Sequence, residues 1–579
     1  MPTGLLILAD MWMPSADDLA AIGPLWGFVG TLVAILVAAL AVGRNWRVTG
    51  MLAALGAAVT GWMALRTVMS PPTNWAGLSP NNSPMFVADQ FSAFFVLLVS
   101  VFMLLVIGMW WMGQNAGLPE RLSRKGDSVE FFILLIGSAF GMSMMVSTTN
   151  LLMIVLAVEM ASLPSYAITA FRKQHAKAAE AGLKYVLFGA VTSAIMIYGA
   201  SLLYGHYHTL DLAEIGRTIR IEGAPTLLMG VSLFAFMVGV AFKVSAVPFH
   251  FWCPDVFEGA AIEVTTWLSV ASKAAGLGLM LRIISVLTFK IASPETLNTL
   301  ATAIAVMAAL TCTVGNLSAF RQTNMKRLLA FSSIAHAGYM LMAVAIVWMN
   351  NGSPTEGVAH PAFSAIVGYI SVYLVMNLGA FLVVAMVYWA TGSESIDAMN
   401  GLMRRSPLLA VMMVVFLFSL VGLPPMGGFM AKLYLLYALW DATWYSLVIV
   451  AVFNTLISLY YYARVARAMV FSDDGQPAIR VPMVGQALAT VCALVVLYTG
   501  TVGAGTLKAF SDDRAKDLYA VVKPGIAVHT AAESARPDSV NENGTLWNGQ
   551  NSTTVPNNDG WHIGLAARKV DSDRNKNGE

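Results

Sequence analysis

The sequence is poor in charged residues and in cysteine, and each shortage excludes a class of protein. Only 11% of its 579 residues are charged, against about 25% in soluble domains. Hydrophobic residues make up 57% of the chain, and the mean hydropathy is +0.68. This composition excludes a soluble globular fold and indicates an integral membrane protein with many spans. The net charge of +2 gives no sign of nucleic-acid binding.

Signatures of metal and nucleotide binding are also missing. Cys253, Cys312 and Cys492 lie far apart, in or beside apolar runs, and form neither a CxxC pair nor a His/Cys cluster. We therefore predict no disulfide framework, no zinc site and no iron–sulfur centre. No glycine-rich loop follows a predicted strand, so the nucleotide-binding signature is absent. The chain is expected to carry no redox cofactor.

Long apolar runs predict an all-α membrane protein with about fourteen transmembrane helices. Each run is long enough to cross a hydrocarbon core of ~30 Å. The predicted spans lie near 21–43, 50–70, 87–112, 129–147, 149–170, 179–205, 225–255, 261–288, 297–317, 327–349, 362–391, 407–438, 440–469 and 482–503.

The basic residues orient these spans. Loops after even-numbered helices hold little beyond Arg217, Arg220 and Lys290. The positive-inside rule therefore places the loops after odd-numbered helices in the cytoplasm and both termini on the opposite, periplasmic face. The basic residues of those cytoplasmic loops are Arg44, Arg47, Arg121, Arg124, Lys125, Arg172, Lys173, Lys177, Arg321, Lys326, Arg327, Arg404, Arg405, Arg464, Arg467 and Arg480.

Both ends of the chain lie outside the predicted bundle. The opening MPTGLLILADMW is too short to span and lacks a basic region, so no cleaved signal is expected. Residues 504–579 are rich in Asn, Gly, Ser, Asp and Lys, a composition that predicts a disordered extramembrane tail. Within it, 561–570 suits either a short docking segment or a solvated stretch.

The stretch GVAFKVSAVPFHFWCPDVFE, residues 239–258, combines a helix break with titratable groups. Pro248 removes a backbone donor and crowds the carbonyl of Val244, which breaks or kinks the helix. Lys243 before the break and His250 after it lie at membrane depth, where ionisable side chains usually mark an ion path. The alternative is a simple proline kink whose lysine extends to the membrane surface.

Other predicted helices carry further titratable side chains. Glu159, five residues before a second potential helix break at Pro164, and Lys184 lie on antiparallel neighbours, where an acid facing a lysine forms a coupled pair. Lys273 lies in the middle of the helix after the broken one. His336 lies about ten residues into its span and suits proton shuttling, although a hydrogen-bonded core histidine is the alternative.

The second half of the chain repeats the broken element. In SLVGLPPMGGFMAKLYLLY, Pro424 and Pro425 free the carbonyls of Leu420 and Val421, and Lys432 follows. A broken helix at the corresponding place in each half is typical of inverted-repeat transporters. The predicted organisation is three N-terminal helices in 1–128, repeats of five helices in 129–288 and 289–469, a last helix in 470–503 and the tail in 504–579.

Six segments together resemble one family. VEMASLPSYAITAF, EAGLKYVLFGAVTSAIMIYGASLLYG and FKVSAVPFHFWCPDVFEGA are followed in order by NMKRLLAFSSIAHAGYML, YISVYLVMNLGAFLVV and GLPPMGGFMAKLYLLY. They resemble subunit N of proton-translocating NADH–quinone oxidoreductase, respiratory complex I, an antiporter-like membrane subunit. The resemblance implies fourteen helices with two inverted repeats, and a proton path through Glu159, Lys184, Lys243, His250, Lys273, His336 and Lys432.

The resemblance also carries expectations about cofactors, partners and location. NAD, flavin, iron–sulfur clusters and quinone are expected in other subunits, and the partners are the membrane and peripheral subunits, the lipid bilayer and protons. The chain is expected in the inner (cytoplasmic) membrane. It departs from the family at GAAIEVTTWLSVASK, where Glu263 is an extra acid that is either an interfacial charge or a group acting on Lys273.

Alternative functions remain to be weighed. Subunits L and M, and the large subunits of multisubunit cation/proton antiporters, share the broken helices and the lysines. The amino-acid sequences of the fifth to eighth predicted helices favour subunit N, as does the segment MNLGAF in the eleventh. A stand-alone secondary transporter would need an intramembrane Asp or Arg cluster for a polar solute, and a quinone-binding redox enzyme would need cofactor signatures.

Overall fold

Almost all of the described chain is helical. The structure, a computed structural model, describes residues 16–70, 75–77, 85–115, 127–222, 226–288, 294–349, 361–472 and 477–520. Within these ranges thirteen helices are long and apolar enough to cross a membrane, and two shorter helices flanking a break supply a fourteenth crossing. Lipid cannot pair with backbone polar groups, so spanning segments satisfy them internally as helices. The predicted all-α class with about fourteen spans is confirmed.

The N-terminal part packs against the first repeat and contains a short hairpin. Two three-residue strands pair in antiparallel register, with Trp75 opposite Ala88. The elements of this part are α1 Ala16–Ala21, α2 Gly23–Val42, α3 Trp46–Met69, β1 Trp75–Gly77, β2 Phe86–Ala88 and α4 Gln90–Asn115.

Two groups of helices follow in chain order, each with one interrupted span, and we refer to them as the first and second repeat after the sequence prediction. The first contains α5 Ser128–Val146, α6 Leu151–Thr169, α7 Ala176–Tyr207, α8 Leu212–Glu222, α9 Thr226–Val244, α10 Trp252–Gly259 and α11 Ile262–Thr288. The second contains α12 Pro294–Ala319, α13 Met325–Met349, α14 Pro361–Thr391, the 3₁₀ turn Ile396–Met399, α15 Leu402–Arg405, α16 Pro407–Val421, α17 Gly427–Asp441 and α18 Tyr445–Phe471. The last helices are α19 Met483–Gly500 and α20 Ala504–Ala520.

Two of the three predicted helix breaks are present. The first interrupted span stops at Val244 and resumes at Trp252, with Pro248 between them. The second stops at Val421 and resumes at Gly427, around Pro424 and Pro425. Each break lies beside a lysine, as the sequence predicts.

The prediction that Pro164 breaks its helix is wrong, because α6 runs through it without interruption. The neighbouring helix α5 approaches so closely that a Cβ on Gly141 would lie 2.2 Å from the backbone nitrogen of Ala161. Pro164 frees the carbonyl of Met160, four residues earlier, and α5 packs directly against this part of the backbone. Close packing against a neighbouring helix lets membrane helices tolerate proline.

Three helices form the centre of the bundle. All of the apolar span is buried in α11 and in α13, and 89% of it in α14, whereas only 22% is buried in α2 and 28% in α7. Ionisable residues on the central helices are therefore enclosed by protein, where an unpaired charge is costly.

A fully buried ion pair joins α4 to α11. The side chains of Asp89 and Arg282 are each 1% exposed, and Nη2 of Arg282 lies 2.9 Å from Oδ1 of Asp89. The same nitrogen donates to the carbonyl of Val146, at the end of α5, over 2.8 Å. Oδ1 of Asp89 also accepts the backbone N–H of Ser92, 2.6 Å away. Such satisfied geometry is what makes a buried pair tolerable.

The predicted disordered tail requires a correction at its start. Ala504–Ala520 forms helix α20, which packs against α14 and α4. Ser364 of α14 donates to the carboxylate of Asp512, and the rings of Phe94 and Phe510 lie 5.9 Å apart. Contacts with the bundle therefore stabilise a segment whose composition is polar. Residues 521–579 lie outside the described residues.

Candidate functional site: a buried row of titratable side chains

Lys243 is buried at the end of α9, just before the first break. Its side chain is 1% exposed, and its Nζ makes no hydrogen bond to any described residue. The carboxylate within electrostatic range is that of Glu159 on α6, whose Oε1 is also buried without a described hydrogen-bond partner. The two opposite charges therefore act on each other through space rather than through a direct ion pair.

Lys184 does not pair with Glu159, and the predicted pairing is corrected. Its Nζ lies 2.8 Å from Oδ2 of Asp255 and 2.7 Å from Oε1 of Glu180, and its side chain is 38% exposed. Arg327 binds the same Asp255, with Nη1 2.6 Å from Oδ1. This ion-pair network, completed by Glu258 and Lys177, consists of Lys177, Glu180, Lys184, Asp255, Glu258 and Arg327.

Side chains from neighbouring helices satisfy the backbone that the first break exposes. Trp252 Nε1 donates to the carbonyl of Phe242 over 3.0 Å, and Ser272 donates to the carbonyl of Lys243 over 3.1 Å. Ser245 holds a positive φ of 63°, a strained conformation for a residue with a side chain. Hydrogen bonds from Trp252 and Ser272 therefore hold the backbone of the break in a defined conformation.

In the sequence, His250 comes just before α10 and Lys273 comes after it, on α11. His250 is 6% exposed, its ring lies 4.5 Å from that of Phe251, and its Nδ1 has no described hydrogen-bond partner. Lys273 is fully buried, with Nζ 4.0 Å from the sulfur of Cys253 and 5.3 Å from the centre of the Phe257 ring. No carboxylate among the described residues forms an ion pair with Lys273.

Lys243 packs against α11, the helix that carries Lys273. The Cβ of Lys243 packs against Gly276 on α11, where an added Cβ would lie 3.3 Å from it. Gly276 is three residues, less than one turn, beyond Lys273. The structure therefore brings the two lysines of the first repeat to neighbouring levels of α11.

His336 lies at the centre of the bundle inside a group of tyrosines. It is 2% exposed, and its Nδ1 lies 2.7 Å from Oη of Tyr369. The rings of Tyr373 and Tyr339 lie 5.2 and 6.0 Å from the histidine ring. The hydroxyl and the imidazole can exchange a proton directly at this distance.

Lys432 binds the backbone that the second break frees. Its Nζ donates to the carbonyl of Val421 over 2.8 Å and lies 3.4 Å from Oγ1 of Thr455. It also lies 4.4 Å from the centre of the Tyr339 ring, and the hydroxyl of that tyrosine is 3.1 Å from Oγ1 of Thr455. Tyr339 thereby lies between Lys432 and His336.

The structure distributes the predicted residues among three places. We call Glu159, Lys243, Lys273, His336 and Lys432 the buried row, in which Glu159 is half-buried with an enclosed Oε1 and the others are buried. Lys184 belongs instead to the ion-pair network, and His250 to the first break. Sequence reasoning missed Asp255 as the partner of Lys184, and it missed the three tyrosines. The spacing of Tyr369 and Tyr373, four residues apart on one helix face, was the available signal.

The buried row falls inside a region that matches a known family. Residues 148–458 match the family described as "NADH:quinone oxidoreductase/Mrp antiporter, TM". NADH-quinone oxidoreductase subunit N of Anaeromyxobacter sp. is 42% identical over 407 residues, which cover 66% of this chain and 75% of the relative. NAD(P)H-quinone oxidoreductase subunit 2 of Gloeobacter violaceus is 34% identical over 501 residues, covering 83% and 91%.

Solved structures agree with these relatives. A chain of respiratory complex I from Thermus thermophilus superposes with a TM-score of 0.68 at 30% identity, covering 84% of this chain and 98% of that one. A chain of the Mrp complex from Dietzia sp. superposes with a TM-score of 0.74 at 20% identity, covering 88% and 99%. The second likeness concerns the fold alone.

Proposed function

The chain belongs to the family of NADH-quinone oxidoreductase subunit N, the antiporter-like, proton-translocating membrane subunit of respiratory complex I, and we propose that the buried row is its proton path. The observation that carries this proposal is the position of the lysines. Lys243, Lys273 and Lys432 are each 6% exposed or less, and none forms an ion pair within the described chain. Buried ionisable groups of this kind mark proton relays in membrane proteins.

Each lysine of the row changes charge when a proton passes. A neutral amine accepts a proton from one side, becomes an ammonium ion and releases the proton to the other side, so the net transfer is one proton. The charge of Glu159 favours the ammonium form of Lys243. When Lys243 loses its proton, that acid is left without a counter-charge, which favours reloading of the lysine.

His336 and its tyrosines link the two repeats in this proposal. The imidazole accepts or donates through Nδ1 to Tyr369, 2.7 Å away, and Tyr339 lies between it and Lys432. Histidine suits this role because it has two ring nitrogens, so the imidazole can take a proton at one nitrogen and release one at the other. Lys432, at the second break, is the terminal group that exchanges protons with the aqueous side.

The oxidation of NADH takes place elsewhere in this proposal. NAD, flavin, iron–sulfur clusters and quinone belong to other subunits, and this chain is a non-redox translocase subunit in the inner membrane with periplasmic termini. The multisubunit cation/proton antiporters share the fold. Relatives at 34–42% identity that are named quinone oxidoreductase subunits favour complex I, and copurification with a redox complex distinguishes the two.

The test uses the assembled complex in membrane vesicles. Glu159→Gln and Lys243→Ala should each sharply reduce proton pumping, and they should slow quinone reduction if pumping and electron transfer are tightly coupled. Lys177→Ala is the matched control, because its side chain is 75% exposed. Normal pumping by either row variant, in a complex that assembles normally, would remove that residue from the path.

A further inference from the structure

A polar stripe runs along α11 from its first turn to Lys273. Glu263, Thr266, Ser269 and Lys273 are separated by three, three and four residues, a spacing that places them on one face of a helix. Thr266, Ser269 and Lys273 are fully buried, and Glu263 is 8% exposed. The hydroxyls of Thr266 and Ser269 donate to carbonyls of their own helix over 2.7 Å each, which leaves their oxygens available as acceptors.

Helix α14 completes the stripe with an amide and a hydroxyl. Asn377 Nδ2 donates to Oγ of Ser269 over 2.7 Å, and the hydroxyl of Tyr373 donates to the carbonyl of Ser269 over 3.4 Å. Oδ1 of Asn377 is fully buried and accepts no hydrogen bond from any described residue. A buried acceptor without a protein donor is costly, and a water bound between α11 and α14 would satisfy it.

The outer end of the stripe opens into a cavity of about 400 Å³. Glu263 lines this cavity together with Arg172, Glu130 and Trp389. It lies where α4 and α5 adjoin the loops that the basic residues assign to the cytoplasm. Water that enters the cavity would therefore contact Glu263, the outermost residue of the polar stripe.

The cations near Glu263 bind other groups, so Glu263 does not serve as their ion-pair partner. Lys326 of α13 is a buried cation within electrostatic range of Glu263, but its Nζ binds Oε1 of Glu394 at 2.7 Å and the carbonyl of Ala260 at 2.7 Å. Arg172 and Tyr388 belong to the same electrostatic cluster. Glu263 forms no ion pair with a described residue, although its position in the first turn of α11 suits a carboxylate.

We propose that Glu263 takes up protons from the cytoplasmic cavity and that the polar stripe delivers them to Lys273. The carboxylate accepts a proton from water in the cavity. Water held by Thr266, Ser269 and Asn377 passes a proton inward, the neutral amine of Lys273 becomes an ammonium ion, and Glu263 returns to its ionised state. Because α11 rises about 15 Å over these ten residues, several bridging groups are needed, and the stripe supplies them.

This proposal rests on the proposed function, and its test is designed to separate the two. Glu263→Gln is made in the complete complex, and NADH-driven proton pumping is measured in inverted vesicles from about pH 6 to pH 8.5. We expect pumping to fall at least about tenfold at the alkaline end, because a positioned proton-transfer group contributes roughly 10²–10⁴-fold and cavity water partly replaces it. The deficit should shrink towards pH 6, where protons reach the stripe without the acid.

Two further variants make the result specific. Glu130→Gln alters a second carboxylate of the same cavity, one that pairs with Arg44 and is not on the stripe, and it should pump normally at every pH. Glu263→Asp retains the acid and should recover part of the alkaline rate. If Glu263→Gln lowers assembly, the aspartate variant must still show the same pH trend in the complex that forms.

The outcomes distinguish the uptake proposal from the proposed function. Normal pumping by Glu263→Gln, or a deficit of equal size at every pH, overturns the uptake role. If Lys273→Met abolishes pumping in that case, the buried row stands without Glu263. If Lys273→Met also pumps normally, the buried row itself is refuted at this position.

Discussion

The ammonium group of Lys432 lies 2.8 Å from the carbonyl oxygen of Val421, the residue whose helical hydrogen bond Pro425 removes. The lysine thus binds a backbone acceptor that exists only because the helix is broken. Both charge states of the amine can remain in place, since a neutral amine still donates a hydrogen bond to the carbonyl. The break therefore positions the lysine without fixing its proton.

Replacing Lys432 by arginine should abolish its function while preserving its charge. Guanidinium does not release its proton near neutral pH, whereas a buried lysine can. We expect Lys432→Arg to assemble but to pump poorly, and Lys432→Ala to pump no better. Proton uptake per electron pair in vesicles measures this. Lys508→Arg on α20, at a 59% exposed position, is the control. Full stoichiometry from Lys432→Arg would leave Lys432 as a structural cation.

The partner of Lys184 can be established by a double-mutant cycle. Its ion pair with Asp255 is partly exposed, so we expect a coupling of about 0.2–1 kcal/mol between Lys184→Met and Asp255→Asn. The same cycle with Glu159→Gln should give no coupling. Apparent melting temperatures of the detergent-solubilised complex supply the free energies. Coupling to Glu159 but not to Asp255 would restore the pairing that the sequence suggested.

Asp211 makes the stability of the chain depend on pH. Burial raises its pKa from 3.8 to about 6, the nearby Glu214 adds to the increase, and the N–H of Ala213 opposes it. The folded protein therefore binds this proton more tightly than the unfolded chain, so the stability contributed is present below pH 3.8 and is lost as the pH rises through 6. Ionisation at higher pH costs about 3 kcal/mol.

Asp211→Asn should consequently raise the melting temperature more at pH 8 than at pH 5. Asparagine keeps the cap on α8, in which Oδ1 accepts the N–H of Ala213 over 3.0 Å, and it carries no charge. Asp211→Ala loses that cap and should be destabilised by about 1 kcal/mol at both pH values, before the removal of the charge is counted. A gain from Asp211→Asn that does not change with pH would contradict the buried-charge explanation.

The orientation of the chain can be tested on α20. The native cysteines Cys253, Cys312 and Cys492 are all buried. An exposed thiol introduced by Lys508→Cys should therefore be labelled far more than they are. We expect an impermeant maleimide to label it from the periplasmic side of intact cells and not in inverted vesicles. Labelling from the cytoplasmic side alone would reverse the orientation given by the basic loops.

Hydropathy and proline positions predicted much of this fold. The spans follow from apolar runs because lipid requires them, and the two breaks follow from Pro248 and from Pro424 with Pro425. Pro164 shows the limit of the rule, since its helix stays continuous where α5 packs closely against it. Whether a proline breaks a membrane helix depends on neighbours that its own sequence window does not contain.

The partners of the charged groups were harder to predict than the groups themselves. Lys184 pairs with Asp255 across 71 residues of sequence, and adjacency of two helices could not reveal that a third supplies the carboxylate. His336 was identified by its depth, but Tyr369 became its partner only through the packing of α13 against α14. Helix α20 escaped notice because its ordering contacts lie on other helices.

The ion pair of Asp89 and Arg282 limits how far α11 can slide along its axis. It anchors α11 to α4 and α5 at one end, with Nη2 2.9 Å from the carboxylate. A piston stroke of a single turn, about 5.4 Å, would pull the guanidinium out of reach and strand two charges inside the protein. That penalty of several kcal/mol opposes sliding of α11. We therefore expect changes of proton access at Lys273 to come from side-chain rotamers and hydration rather than from a shift of the whole helix.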